Sequence, residues 1–184
     1  MKNGNIPLRI VITGTPGTGK SVIAKKLSAL LGLELVDLKK IVRSRRLAGR
    51  KHEVDIKKLA SALRFLQRKK GYVVEGHLAC ELRLPADFVF VLRTSPRVLL
   101  RRLSKRGYGT KKLNDNIAAE LLDYCTQRVE QEYRKKPLEL DTSRRASASS
   151  VLLMAGAIRN NKKKLDTINY SHQLLDYVKG KGRK

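Results

Sequence analysis

The chain has 184 residues, 41% of them apolar, which is typical of one globular domain with a buried core. No stretch approaches the roughly 20 apolar residues that a membrane span needs, and the start MKNGNIPLR lacks the apolar segment of a signal peptide. We therefore expect a cytoplasmic protein without a membrane partner. The formal net charge of +25 favours polyanionic partners, nucleic acid above all.

Strands and helices alternate through the first half of the chain. LRIVIT predicts a buried strand, and after a short loop the apolar residues recur at helical spacing until Gly32, which supplies a C-cap. LELV predicts a second strand. A helix that begins at Ile56 is expected to close at Gly71 and to lead into a third strand, YVVE.

The second half continues this alternation. DFVFVLRT predicts a central parallel strand, and Ser95 with Pro96 begins the next helix. After the basic loop KRGYGTKKLND, Asn114 or Asp115 is expected to cap a helix that ends near Pro137. LELD predicts a fifth strand and SASSVLLMAGAI a helix that packs on the sheet. We expect an α/β fold with a five-stranded parallel sheet and helices on both faces.

The composition changes after Arg159. We expect residues 1–159 to form the single domain and residues 160–184 to add a basic helix and a mobile Lys/Gly tail. The apolar face of that helix is predicted to consist of Leu165, Ile168, Leu175 and Val178.

The two cysteines, Cys80 and Cys125, are too few for a disulfide framework or a zinc cluster. Free thiols are the favoured interpretation. No ligand set for a metal is visible from residue spacing.

The segment GTPGTGKS fits the pattern G-x-x-x-x-G-K-[ST] at Gly14, Gly19, Lys20 and Ser21, with a predicted strand before it and a helix after it. Glycines let the chain curl so that backbone amides point at phosphate oxygens, and the helix N-terminus adds positive charge. A plain strand-to-helix turn would explain the glycines but not the Lys-Ser pair. We expect Lys20 to neutralise the β and γ phosphates of ATP and Ser21 to ligate Mg²⁺, with Gly17 and Val22 completing the nucleotide contacts.

An acidic residue that orients the metal is expected at the end of a neighbouring strand. Glu75, which ends YVVE, is the candidate, and a local cap or salt bridge is its alternative role. His77 follows two residues later, near the strand ends where doubly wound sheets bind ligands. A catalytic or water-positioning role for His77 and a structural one are about equally favoured.

The motifs GTPGTGKS, EGH and FVLRT, and above all RGYGTKKLNDNI, resemble a family of small adenylate-kinase-like NTPases of ribosome assembly. These are the archaeal relatives of the eukaryotic coilin-interacting nuclear ATPase, and the similarity covers roughly residues 8–140. The resemblance implies a P-loop core with two mobile flaps. The flap over the nucleoside monophosphate (NMP) would span about residues 37–58, and the lid over ATP about residues 105–115.

The resemblance also implies site residues on the two flaps. Arg43 in the NMP flap would orient the acceptor, and Arg106 in the lid would contact the ATP phosphates, as arginines on closing loops do in phosphoryl transfer. Arg102 and Lys111 are weaker candidates, since such residues are more often solvated surface.

Two departures from the family pattern concern charge. The family has Asp-x-His where this chain has Glu75-Gly76-His77, so the acid is one methylene longer. Thirteen Lys and Arg between Lys39 and Lys70 face only Glu53 and Asp55, whereas relatives are acidic there. This puts the family's partner surface in doubt.

These observations predict an enzyme that transfers the γ-phosphoryl of ATP to AMP or a similar NMP, with Mg²⁺ and with ATPase activity. By resemblance it would serve maturation of the small ribosomal subunit, where a platform ribosomal protein and rRNA are the expected partners. One alternative is a nucleotide-gated assembly factor that binds RNA and ribosomal protein and whose kinase activity is vestigial. A weaker alternative is a kinase for a different small acceptor, such as a metabolite hydroxyl.

Overall fold

The computed structural model describes residues 8–49 and 53–181. The strands are β1 (Leu8–Thr13), β2 (Leu35–Asp37), β3 (Gly71–Glu75), β4 (Phe88–Arg93) and β5 (Leu138–Asp141). The α-helices are α1 (Lys20–Leu31), α2 (Leu38–Ser44), α3 (Ile56–Ala62), α4 (Pro96–Ser104), α5 (Thr110–Leu121), α6 (Tyr124–Tyr133), α7 (Ser147–Arg159) and α8 (Ser171–Lys181). Within these ranges, no helix combines the length and the apolar character that crossing a bilayer requires.

The five strands form one parallel sheet in the order β2-β3-β1-β4-β5. This confirms the predicted α/β fold with a five-stranded parallel sheet. Because parallel strands end at the same edge, the loops that follow β1, β2, β3 and β4 lie together there. The register pairs Asp37 with Glu75, so two carboxylates end neighbouring strands beside the central strand.

Helices cover both faces of the sheet, as expected for a sheet whose strands are apolar on both sides. On one face, Val11 and Val74 belong to an apolar cluster with Leu59 of α3 and Val129 of α6. On the other face, a second cluster joins the sheet to α1 and α7; its members include Ile10, Ile12, Leu27, Val151 and Met154.

The helix after the basic loop begins earlier than predicted. Helix α5 starts at Thr110, directly after Gly109, so Asn114 and Asp115 lie inside the helix and do not cap it. The expected continuous helix to Pro137 is also wrong, because the chain turns at Asp123, which has a φ of 52°. The Asp123 carboxylate forms an ion pair with Arg93, and this pairing fixes the turn between α5 and α6.

The predicted helix from Ile56 to Gly71 is shorter in the structure. Helix α3 ends at Ala62 and continues as a 3-10 turn over Arg64–Arg68. Gly71 is the first residue of β3 and does not close a helix. The NMP flap predicted at 37–58 includes residues 50–52, which lie outside the described residues.

The carboxyl-terminal helix forms, but with a different apolar face. Leu165 and Ile168 precede α8 and pack on the protein, while Leu175 is 56% exposed and Val178 is 59% exposed. The inward positions of α8 are Leu174 and Tyr177, which pack beside α4 and α5. The predicted mobile Lys/Gly tail begins inside α8, which continues to Lys181, and residues 182–184 lie outside the described residues.

Candidate active site

The loop between β1 and α1 is folded tightly against β4. Gly14 has a φ of +135°, and a Cβ atom there would lie 2.3 Å from the carbonyl oxygen of Leu92, so only glycine fits. Gly17 and Gly19 also have positive φ values, of 98° and 91°. These three glycines give the loop the curled conformation that the phosphate-binding motif requires.

The first turn of α1 presents free backbone donors. Gly19 provides no side-chain cap, and the first helical bond runs from the Ile23 amide to the Gly19 carbonyl. The amides of Lys20, Ser21 and Val22 therefore have no intrahelical acceptor. Together with the positive end of the helix dipole, they form a site suited to phosphate oxygens.

Lys20 closes the loop from inside. Its Nζ donates to the carbonyl oxygens of Gly14 at 2.7 Å and Thr15 at 3.0 Å, and the residue is only 8% exposed. Burial lowers the pKa of Lys20, while the nearby Glu75 and Glu120 carboxylates partly offset that effect. The ammonium group thus lies inside the curl of the loop, where phosphates of a bound nucleotide would contact it.

Glu75 ends β3 beside the start of α1 and is 5% exposed. Burial raises the pKa of this carboxyl, a hydrogen bond with the Ser21 side chain opposes the rise, and the neighbouring Asp37 adds to it. Glu75 therefore contacts the hydroxyl that was predicted to ligate Mg²⁺. Asp37 was not predicted as a site residue, although an acid at the end of the second predicted strand was a visible signal. Its carboxylate also caps α2 by accepting from the Lys40 amide at 3.1 Å.

A buried ionic network lies behind the P-loop. It too was not predicted from the sequence. Thr15 donates to Glu120 at 2.5 Å, and the other oxygen of Glu120 accepts from Arg93 at 2.8 Å. Arg93 is 2% exposed and also pairs with Glu139 at 2.6 Å and with Asp123. An arginine at the end of the apolar strand FVFVLR was the signal that could have revealed it.

Arg102, a weaker candidate from the sequence, supports the loop from the side of α4. Its guanidinium donates to the carbonyl oxygens of Gly17 at 3.3 Å and Thr142 at 2.7 Å. Burial and the nearby Arg101 and Arg106 lower its pKa. In this conformation Arg102 contacts the protein backbone.

The two arginines predicted to act on substrates are both exposed. Arg43 lies in the last turn of α2, and Arg106 lies just after α4, where its amide donates to Leu103 at 3.0 Å. The Arg106 side chain makes no hydrogen bond or ion pair with any residue that the structure describes. The structure does not bring either guanidinium against the loop, and Lys111 is likewise exposed near the start of α5.

His77 begins the 3-10 turn His77–Glu81 and keeps an exposed surface. Its backbone carbonyl accepts from the Thr13 hydroxyl at 3.1 Å, which ties the turn to β1. Desolvation by the surrounding residues, followed by the charges of Lys20 and Lys112, lowers the pKa of His77 to about 4. The imidazole is therefore neutral at physiological pH and able to accept a hydrogen bond from water.

Comparison with known proteins identifies the family to which this chain belongs. A family model described as an AAA domain matches residues 10–123. A protein of Methanocaldococcus jannaschii named "Putative adenylate kinase" is 34% identical over 178 residues, covering 93% of this chain and 97% of that protein. A protein of the same name from Thermococcus onnurineus is 34% identical over 168 residues, covering 89% of this chain and 92% of its own length.

Solved structures share the fold at lower sequence identity. Shikimate kinase from Acinetobacter baumannii, in complex with shikimate, gives a TM-score of 0.63 at 20% identity, covering 84% of this chain and 94% of that one. Deoxyadenosine kinase from M. mycoides gives a TM-score of 0.56 at 15% identity, covering 83% and 100%. On the strength of the family match and the archaeal relatives, this chain belongs to the adenylate-kinase-like family of P-loop NTPases.

Proposed function

We propose that this protein transfers the γ-phosphoryl group of ATP to AMP, producing two ADP, and that it hydrolyses ATP at the same site. The observation that supports this most directly is the P-loop itself, with Lys20 inside the curl and Ser21 bonded to the buried Glu75. Phosphoryl transfer depends mainly on positioning and charge neutralisation, and this loop supplies both.

Each predicted residue has a separate task in this proposal. The amides of Gly17, Gly19 and Val22 and the Lys20 ammonium would hold the ATP phosphates. Arg106 would approach the transferred charge when the lid closes, and Arg43 would orient the acceptor phosphate. His77, neutral at physiological pH, would position the water that attacks ATP in the hydrolytic reaction.

The residues around Ser21 fit a magnesium ion that arrives with the nucleotide. Mg²⁺ prefers oxygen ligands and in kinases is held by one or two protein groups together with phosphates and water. The Ser21 hydroxyl and the Glu75 carboxylate supply such oxygens, and Asp37 lies alongside. The described residues contain no group of three or more His, Cys, Asp or Glu side chains suited to a metal. When bound, the ion would neutralise phosphate charge as the β–γ bond breaks.

One assay tests both activities. Purified protein is incubated with ATP and Mg²⁺, with and without AMP, and ADP and free phosphate are measured separately. ADP that depends on AMP and appears without phosphate supports the kinase, and phosphate released regardless of AMP supports the ATPase. Other NMPs and hydroxyl acceptors, assayed in parallel, test the acceptor; a rate with a hydroxyl compound that exceeds the rate with every NMP would contradict the proposal.

A second candidate function, a nucleotide-gated assembly factor on the small ribosomal subunit, is supported by the distribution of charge. Within 94–112 there are seven Lys or Arg and no acid, and most of their side chains are exposed. An open cavity of about 350 Å³ between α3 and residues 82–85 adds Lys57, Arg64 and Arg83, with no acidic residue in its wall. Such surfaces fit RNA phosphates better than a basic ribosomal protein of the platform, which would be repelled.

Binding to small-subunit rRNA at several salt concentrations tests this candidate. Each neutralised RNA phosphate adds about 0.7 to the slope of log K against log salt, so steep weakening with salt is expected. A variant with Gln in place of the exposed Lys162, Lys163 and Lys164 measures the contribution of the carboxyl-terminal lysines. Removal of the whole carboxyl-terminal segment is less suitable, because it would also uncover the core at Leu165. A flat salt dependence would favour a protein partner on a local acidic or apolar patch.

A further inference from the structure

The two cysteines lie side by side beneath the P-loop. The Sγ atoms of Cys80 and Cys125 are 3.8 Å apart, although the residues are 45 positions apart in the chain. Cys80 lies in the 3-10 turn His77–Glu81, and Cys125 is the second residue of α6. Both thiols are free and nearly buried, at 1% and 6% exposure.

The two elements that carry these sulphurs are held together by other contacts. The Tyr133 hydroxyl of α6 donates to the Ala79 carbonyl at 2.9 Å. Arg128 and Tyr124, also of α6, both contact the Glu81 carboxylate, Arg128 at 2.8 Å. The turn and the helix are thus already in place on either side of the sulphur pair, and a disulfide of about 2.0 Å needs an approach of only about 1.8 Å.

The environments of the two sulphurs differ in a way that suits oxidation. A hydrogen bond from Cys80 lowers the pKa of Cys125; burial opposes this effect, and the charge of Lys20 adds to it. Cys125 also lies in the first turn of α6, where the helix dipole favours a thiolate. The same hydrogen bond, together with burial, raises the pKa of Cys80, whose thiol also contacts the His77 carbonyl at 3.0 Å. The two thiols thus differ: Cys125 lies at the start of a helix, and Cys80 lies 3.8 Å from it with a hydrogen bond to the His77 carbonyl.

We propose that Cys80 and Cys125 form an oxidative modification site that small hydroperoxides convert into an intramolecular disulfide. The Cys125 thiolate attacks one oxygen of hydrogen peroxide, the O–O bond breaks, and hydroxide leaves, which gives a sulfenic acid. The Cys80 sulphur, after losing its proton, attacks the Cys125 sulphur and displaces hydroxide, which takes up that proton as water. In sum, two thiols and one peroxide give one disulfide and two waters.

The disulfide would remove the thiol hydrogen that Cys80 shares between His77 and Cys125. It would also close a covalent loop around β4, α4 and α5, the segment that carries Arg106. Oxidation would therefore affect both the turn that carries His77 and the segment that carries Arg106.

The test uses the full chain treated with a small excess of hydrogen peroxide and then with an alkylating reagent under denaturing conditions. The expected result is a mass loss of about 2 Da from two hydrogens, no alkylation, and a Cys80–Cys125 cross-linked peptide after digestion, all reversed by dithiothreitol. Cys80→Ala should stop at a sulfenic acid on Cys125, whereas Cys125→Ala should react far more slowly. Circular dichroism first confirms that each variant is folded, and the serine variant at the same position, Cys80→Ser or Cys125→Ser, replaces an alanine variant that is not.

Three outcomes would overturn the proposal. The first is that both cysteines are still fully alkylated after the peroxide treatment. The second is a gain of mass without a cross-linked peptide, and the third is a disulfide that joins two chains on a non-reducing gel. None of these readouts depends on turnover, so failure here is distinct from failure of the proposed kinase activity.

Discussion

Thr15 in the P-loop donates a 2.5 Å hydrogen bond to Glu120 in α5, a helix that begins inside the predicted lid. The same carboxylate accepts from the Arg93 side chain at 2.8 Å and from the Thr94 amide at 3.0 Å. One buried acid therefore links the P-loop, the end of β4 and the helix that begins inside the predicted lid. If residues 105–115 act as the predicted lid, Glu120 connects their position to the P-loop.

Removal of Arg93 tests the strength of that network. Arg93→Met would leave Glu120, Glu139 and Asp123 without their common partner, and breaking a buried ion pair in this way costs about 3–5 kcal/mol. We expect the urea midpoint of unfolding to fall accordingly. Arg9→Met is the control, because the partly exposed Arg9–Asp87 pair should contribute at most about 1 kcal/mol. Equal losses in the two variants would contradict the importance of the network.

Lys20→Ala should lower ATP turnover by about 100-fold or more, because a cation facing developing phosphate charge is lost. It also removes two hydrogen bonds to the Gly14 and Thr15 carbonyls, so a modest loss of thermal stability is expected as well. Lys25→Ala, an exposed change on the same helix, should leave turnover unaltered. Near-normal turnover of Lys20→Ala would refute the phosphate-loop assignment.

Glu75 makes the nucleotide-free protein sensitive to pH. Because burial raises the pKa of Glu75 in the folded state, the folded protein binds more protons here than the unfolded chain. Its contribution to the free energy of unfolding is thus greatest below the ordinary pKa of the carboxyl and declines as pH rises towards the raised value. Glu75→Gln should remove this decline and should also weaken the magnesium dependence of turnover. Urea unfolding measured at several pH values checks the first point, with Glu53→Gln as the exposed control.

His77→Ala should reduce hydrolysis of ATP more than transfer to AMP, since AMP brings its own phosphate oxygen as nucleophile. We expect a loss of hydrolysis of about 100-fold if His77 assists the attacking water as a general base does. Because the pKa of His77 is lowered to about 4, wild-type hydrolysis should show no inflection from this residue at neutral pH. Initial rates of phosphate and ADP formation, compared across pH, distinguish the roles; equal loss in both reactions would make His77 a structural residue.

Arg106→Ala should lower kcat more than it raises KM if the guanidinium acts mainly on transition-state charge. Its neighbour Lys105 is equally exposed and provides the matched variant, Lys105→Ala, which should change kcat little. Steady-state kinetics with ATP as the varied substrate separate the two parameters. A change in KM alone would restrict Arg106 to ground-state binding.

The parts of the site that were predictable from sequence are those built from consecutive residues. Gly14, Lys20 and Ser21 belong to one short motif whose backbone geometry follows from local rules, and Glu75 ends a strand of clear apolar pattern. The parallel sheet followed from the alternation of strands and helices, which is also a local signal.

The network of Arg93, Glu120 and Glu139 was not predictable in the same way. These residues come from three separate elements, and only the folded register brings their charges together inside the protein. The break at Asp123 depends on the same long-range ion pair, so helical periodicity alone could not reveal it. Likewise, Leu174 and Tyr177 became the inward face of α8 because of the neighbouring α4 and α5, a tertiary effect that an isolated helical pattern does not contain.

The carboxyl-terminal segment has a consequence for proteolysis. Asp166 is held by Arg145 at 2.6 Å, and Tyr170 packs its ring 5.2 Å from the Arg93 guanidinium, whereas residues 160–164 between α7 and these anchors are exposed. A protease that cuts this exposed stretch would leave the sheet and P-loop intact but would free α8 to dissociate from α4 and α5. Helices α4 and α5, which flank the predicted lid, would then lose part of their support, so a cut remote from the P-loop would loosen the segment that we expect to close over ATP.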